Sequence, residues 1–271
     1  MSEARKVVKK QELPLLPLRG LTVFPYMILH FDVGRVKSIK ALEEAMINNQ
    51  LIFLVTQRDA KNDSPNADDV YRIGTISKVK QLLKLPGDTI RVLVEGISRA
   101  EISDFTQTEP FFMAEVVEKI YVDDDESMIE VEALKRRVVS TFEEYSKYNN
   151  KISPETVLSV MSIDDSDQLS DIITSNLSLK VEHKQEILDE FQPKVRLQKL
   201  LEILVKEIDI MQIEKDINIK VRKQMDKMQK EYYLREQLKA IQTELGDKEG
   251  ITGEVEEYKR KLKEGNFKIT S

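Results

Sequence analysis

His30 and His183 are the only imidazoles in a chain of 271 residues that has no cysteine. Acid–base or nucleophilic catalysis would lean on one of them. His30 alternates with Leu29 and Phe31 in a strand-like run, and His183 lies in a charged helical segment, so neither is placed for a triad. None of the nine glycines opens a Gly-x-x-x-x-Gly-Lys-Ser/Thr loop, the cradle a nucleotide phosphate needs. There is no Gly-x-Ser-x-Gly elbow and no His-Glu-x-x-His helix. The acidic run Asp123-Asp124-Asp125-Glu126 suggests a divalent cation, but consecutive acids project in different directions, and a solvated helix start is the better reading. No catalytic, cofactor-binding or metal-binding residue is expected.

Binding is the chemistry that remains. Phe24-Pro25-Tyr26-Met27 puts apolar side chains at a turn, and Leu82-Leu83-Lys84-Leu85-Pro86 runs apolar up to a hairpin tip. Strand alternation sends Leu82 and Leu83 to opposite faces, so at least one is a candidate for exposure. Exposed apolar patches on soluble proteins mark interaction sites. The candidate protein-binding residues are Pro25, Tyr26, Met27, Leu82, Leu83, Leu85 and Pro86, with Met225 and Met228 as an adaptable pair on a helix. Burial beneath the helical half is the alternative for the first seven, and ordinary packing for the methionines. Lys220, Arg222, Lys223, Lys227 and Lys230 could meet phosphates, but Asp226 and Glu231 are interspersed, so DNA is at most a weak partner.

The elements that must hold these residues change character along the chain. Residues 1–122 carry 17 basic and 16 acidic side chains; residues 123–192 carry 7 and 17; residues 193–245 carry 12 and 9. The shift after Val122 marks a domain boundary. Before it, strands are expected at Leu13–Leu18, Met27–Val33, Leu51–Gln57, Ile73–Leu85, Thr89–Glu95, Ser98–Phe105 and Phe112–Val122. One helix capped by Ser38 would put Ile39, Leu42, Ala45 and Met46 on one face, and Asp59–Asp69 would be a solvated loop. That set suggests a small, partly closed barrel. After it come helices near Ser127–Lys147, Pro154–Ser162 (capped by Ser153), Asp167–Ser175 and Val181–Phe191. From Pro193 to Leu245 there is no glycine and no further proline, and apolar residues recur every three or four positions, with register changes near Ile210–Ile217 and Tyr232. Such a helix suits a lever or spacer. The expected organisation is a β-rich domain at 1–122, a small helical bundle at 123–192, the long helix at 193–246 and a flexible tail at 247–271. No apolar run approaches membrane-spanning length, the N-terminus leads into polar residues, and a reducing cytoplasm is expected.

Several of these stretches resemble the N-terminal region of the bacterial ATP-dependent protease Lon, of the LonA type found in Bacillus and its relatives. They are Leu13-Pro-Leu-Leu-Pro-Leu-Arg19, Phe24-Pro25, Asp32-Val-Gly-Arg35 followed by Ser38, Arg91-Val-Leu-Val-Glu-Gly96, Lys184-Gln185, and above all Gln229-Lys-Glu-Tyr-Tyr-Leu-Arg-Glu-Gln-Leu-Lys-Ala-Ile-Gln-Thr-Glu-Leu-Gly246. The departures are Tyr26, where that family often has glycine, and Ser178, where proline is common. The resemblance implies an α+β architecture: a PUA-like β-barrel, then a helical domain with one very long C-terminal helix. It implies recognition of unfolded or degron-bearing proteins and self-association in a hexamer. It also implies that ATP, magnesium and a Ser-Lys protease belong to domains beyond Ser271. A different class, a stand-alone PUA-like scaffold or nucleic-acid-binding protein, is the competing expectation.

Overall fold

A computed structural model describes residues 7–120, 125–244 and 256–261. The chain divides into two compact units, Met1–Asp209 and Ile210–Ser271. The expected boundary after Val122 and most of the tail lie outside the described residues, as do Asp123 and Asp124.

In the first unit six strands and one helix come first: β1 (Val7–Leu18), β2 (Ile28–Val33), α1 (Val36–Ile47), β3 (Leu51–Thr56), β4 (Ile73–Leu85), β5 (Thr89–Gln107) and β6 (Phe112–Ile120). They form one sheet in the order β2-β5-β4-β3-β1-β6, and β6 pairs back on β5. The pairings thus run in a ring through β5, β4, β3, β1 and β6, with β2 attached outside it. The result is a pseudo-barrel and not a true barrel, close to the small, partly closed one expected. Its key is β5, a 19-residue strand where the sequence pattern suggests two separate ones. Ile90–Glu95 carries β2, and Glu101–Gln107 carries β6. Register shifts at Ile76/Ser77, Val79/Gln81 and Ile102/Asp104 give the bends that closure needs.

The continuous apolar run of β3 is explained by burial on both faces. Ile52 and Leu54 enter one core cluster with Leu16, Leu42, Val92 and Val94; Phe53 and Val55 enter another with Leu15, Ile76, Ile102 and Val116. Helix α1 starts earlier than the cap signal implied. Arg35 holds the N-cap position, while Ser38 is buried inside the helix on the face of Ala41, Leu42 and Ala45, and Met46 is exposed. The Asp59–Asp69 loop is tied down rather than merely solvated. Pro65 is buried, Asn62 donates to Asp69 (3.1 Å), and Asp69 accepts from the Asn66 N–H (2.8 Å).

The helices are α2 (Asp125–Ser146), α3 (Pro154–Met161), α4 (Ser166–Asn176), α5 (Val181–Leu188) and α6 (Pro193–Glu244). Helix α2 begins at Asp125. Ser153 accepts from the Thr156 N–H with Pro154 in the first turn, and Asp165 caps α4 through the Gln168 N–H. Val138, Phe142 and Tyr145 of α2, Leu169 and Ile173 of α4, Ile187 of α5, and Leu197, Leu200, Leu204 and Ile208 of α6 are buried. The Ser178 N–H reaches the Tyr145 hydroxyl (3.4 Å), a donor that a proline at this position would lack.

Candidate functional site

The Phe24–Met27 turn is pinned to β5. The Tyr26 N–H donates to the Gly96 carbonyl (2.9 Å), and the Gly96 N–H to the Met27 carbonyl (2.8 Å). A Cβ on residue 96 would stand 2.1 Å from the Phe24 carbonyl oxygen, so the turn can approach only a glycine. Phe24 and Pro25 are buried as the anchor, while Tyr26 is 46% exposed. Tyr26 has φ +65°, the left-handed region in which glycine is at ease and a tyrosine is strained. Of the predicted trio, Tyr26 is presented to solvent, Met27 is half-buried with its sulfur accepting from the Phe24 N–H (3.2 Å), and Pro25 is mostly core.

The hairpin tip is a separate feature. Leu82 packs against the core cluster around Leu16 and Val92, whereas Leu83, opposite Arg91, is 52% exposed. Leu85 is half-buried and Pro86 exposed, before a turn in which Gly87 and Asp88 both have positive φ. Gly96 and Thr89 are seven residues apart on β5, roughly 23 Å in an extended strand, so the tip and the Tyr26 turn are two patches. Met225 and Met228 are 65% and 63% exposed on α6 in the second unit. Both histidines are exposed, and no group of three or more metal-ligating side chains occurs among the described residues.

Tertiary structure surrounds Tyr26 with residues that sequence patterns missed. A cleft of about 210 Å³ is lined by Pro25, Tyr26, Ile97, Arg99, Asp171 and Phe191, among others. Exposed Ile97 follows directly on Gly96, and Lys119 sits 5.3 Å over the Phe191 ring. At the floor, Arg99 of β5 donates to Asp171 of α4 (2.5 Å), both buried. Arg196, fully buried at the start of α6, pairs with Asp167 and donates to the Ser170 hydroxyl (2.8 Å) and the Glu190 carbonyl (3.0 Å). Gln185 of α5 donates to the Ile73 carbonyl of β4 (2.9 Å). Burial pushes the Asp171 carboxyl up to about 6 against the pull of Arg99. Burial, Asp165 and Asp171 raise the Tyr26 phenol, keeping it neutral. Arg99 and Asp171 are 72 positions apart, and no local pattern joins them; Ile97 alone carried a signal, as an apolar residue beside the glycine of the turn.

These features define an α+β domain: a strand pseudo-barrel joined to the helices by a buried ion pair, with apolar side chains fixed at its surface. The model of the ATP-dependent protease La (LON) substrate-binding domain matches residues 12–206. The chain belongs to that family. It is 53% identical over 256 residues to a Lon protease of Clostridioides difficile, covering 93% of this chain and 32% of that protein. It is 47% identical over 258 residues to Lon protease 1 of Bacillus subtilis, covering 95% and 33% respectively. The chain thus spans about a third of the length of these curated relatives. The fold matches the N-terminal domain of a Mycobacterium avium complex Lon protease with TM-score 0.52 at 19% identity, covering 73% of this chain and 98% of that one.

Proposed function

We propose that this chain recognises unfolded or degron-bearing proteins for an ATP-dependent serine endopeptidase of the Lon type in the cytoplasm. The carrying observation is the pinned turn that holds Tyr26 exposed beside Ile97, with Leu83 at the hairpin tip as a second contact. A rigid apolar side chain binds an extended client without first losing its own rotamer freedom. The exposed seam of α6, with Met225 and Met228, is the surface on which hexamer assembly would draw. Charge favours protein over nucleic acid: Arg91 and Arg99 of β5 are paired with Asp32 and Asp171, and Arg19, just after β1, with Asp63, so these arginines are not free for phosphates. No helix among the described residues is long and apolar enough to cross a membrane.

The test is titration of the chain with reduced, unfolded casein. Saturable binding is expected without nucleotide, and Tyr26→Ser and Leu83→Asp should each weaken it. Because Leu83 is exposed, Leu83→Asp should change stability by no more than about 0.5 kcal/mol. Casein binding that is unchanged in both variants would overturn the assignment of these patches. Saturable micromolar ATP binding would contradict a chain without a phosphate loop.

A further inference from the structure

The ring of strands has a break. β4 occupies one edge of β5 from Thr89 to Glu101, so β2 and β6 share the other edge, β2 on Ile90–Glu95 and β6 on Glu101–Gln107. β6 continues the ring onto β1 only as far as Leu15. Beyond it, Leu16–Leu18 pair with β3 alone, and β2 pairs with β5 alone. Two strand edges therefore lack a strand partner among the described residues: that of β2 has main-chain donors and acceptors, whereas the Leu18 carbonyl is taken by the Gln57 N–H of the β3 side and Pro17 leaves the β1 edge without a donor. A cleft of about 380 Å³ lies between them, lined by Leu16, Leu18, Phe31, Val33, Arg19 and Arg35, among others. Its volume falls in the range of roughly 300–1,000 Å³ typical of ligand clefts.

Charge identifies the occupant. Arg19 is paired with Asp63, and Asp32 receives two bonds from Arg91 (2.7 and 2.8 Å). Arg35 reaches only neutral acceptors, the Gln57 side-chain oxygen (2.8 Å) and the Asn62 carbonyl (3.3 Å). Burial and the nearby Arg19 disfavour its charge, while Asp63, which is paired with Arg19, favours it from beyond contact distance. The first turn of α1, which Arg35 precedes, has no acidic residue. The cleft thus combines apolar walls, the open edge of β2 and a cation without a carboxylate in contact. Ser38 of α1 lines the same cleft as Arg35, so the cleft reaches from the β2 edge to the start of the helix.

We propose that this cleft takes the extended C-terminal tail of an unfolded polypeptide, added as a strand on β2 with its terminal carboxylate on Arg35. Main-chain pairing supplies affinity without demanding a sequence, and alternate side chains meet the apolar walls. This inference rests on the reading of the chain as a client-binding domain and assigns it a second kind of contact, made by backbone rather than by Tyr26 or Leu83.

The probe is a synthetic hexapeptide of alternating valine and serine with a free C-terminus. It is compared with its C-terminal amide and with versions N-methylated at odd or at even positions. Titration into the full chain, followed by amide NMR, should move the signals of Ile28–Val33 and Leu16. The amide peptide should bind at least about tenfold more weakly, the loss expected for a bond to a charged group. N-methylation should be harmful in one alternate set and tolerated in the other. Arg35→Gln should bring the free acid down to the affinity of the amide, and the peptide arms decide the question without that variant should it fold poorly. Equal binding of acid and amide, tolerance of methylation in both sets, or shifts confined to Tyr26 and Leu83 would overturn the proposal. Casein binding without peptide binding overturns this inference alone; peptide binding at β2 without casein binding overturns the client reading and leaves the cleft assignment standing.

Discussion

Helix α6 holds two populations of apolar residues on one 52-residue element. In its first turns Leu197, Leu200, Leu204 and Ile208 are buried, together with Arg196. From Ile210 onward Ile213, Ile217, Val221, Met225, Met228, Tyr232, Leu238 and Ile241 recur at the same helical spacing, and every one is exposed. Periodicity is therefore the same in both parts and burial is opposite. A helical apolar stripe states that one face will be covered, but not by what. In the first part the cover is the chain's own bundle. In the second, none of the described residues supplies it, and the stripe is available to a partner.

The largest expected effect lies in the buried part. Asp171→Ala strands Arg99 in the interior and should cost about 3–5 kcal/mol, read from urea unfolding. The matching change on the exposed part, Glu236→Ala beside Lys239 (4.0 Å), should cost no more than about 0.5 kcal/mol. Similar costs at the two sites would break the contrast. Next, Leu204→Ala should lose about 2–5 kcal/mol, whereas Leu238→Ala should stay within about 0.5 kcal/mol in dilute solution. If the cost of Leu238→Ala grows with protein concentration, the seam is covered by a second copy, which sharpens the comparison.

Lys223→Pro should cost about 3 kcal/mol locally by removing a backbone donor and crowding the preceding turn. Helical circular dichroism should fall while the melting of the strand-containing unit is unchanged. Spin labels at Glu214 and Lys239 should lie roughly 38 Å apart along a continuous helix. About half that distance would mean a folded-back segment and would remove the spacer reading.

The smallest effect is a pH slope. The Asp171 carboxyl is raised from 3.8 to about 6 in the fold, so the folded chain keeps a proton that the unfolded chain has already released. Its contribution to stability is fully present below about 4 and declines as pH rises through 6. Asp189, also raised by burial, acts in the same direction, while Asp32, lowered by its bond from Arg91, acts oppositely. Comparing urea midpoints at pH 4.5 and 7 isolates the group, because Asp171→Asn should remove its share of the decline. An unaltered pH profile in that variant would show that the buried pair stays ionised throughout.

Much of the fold was legible because local rules and tertiary structure agree. The Ser153-Pro154 start, the Pro86–Asp88 turn and the bounds of β4 follow from capping, turn chemistry and alternation over a few residues. The failures have one cause in common. β5 runs through Gly96, where a sequence reading breaks the strand, because the glycine serves the close approach of the Phe24 carbonyl and not a turn of β5 itself. Ser38 has the chemistry of a cap but sits within α1, since packing against β1 and β3 sets where the helix begins. Of the site residues, Tyr26 and Leu83 are exposed as the patterns suggested, while Leu82 and Pro25 went to the core.

Residue order alone carried the class of fold, the lack of a phosphate loop, the uninterrupted helix and the family, because each depends on neighbours within a few positions or on motifs in fixed sequence. It also nominated the two apolar turns. Pairing across the chain set the rest. Arg99 meets Asp171 across 72 positions, and β2 stays outside the ring because the two halves of β5 take different partners. The cleft beside Arg35 exists because β6 ends its pairing at Leu15. Such features arise where distant segments compete for the same strand edges and the same buried volume, and that competition leaves no periodic trace in the sequence.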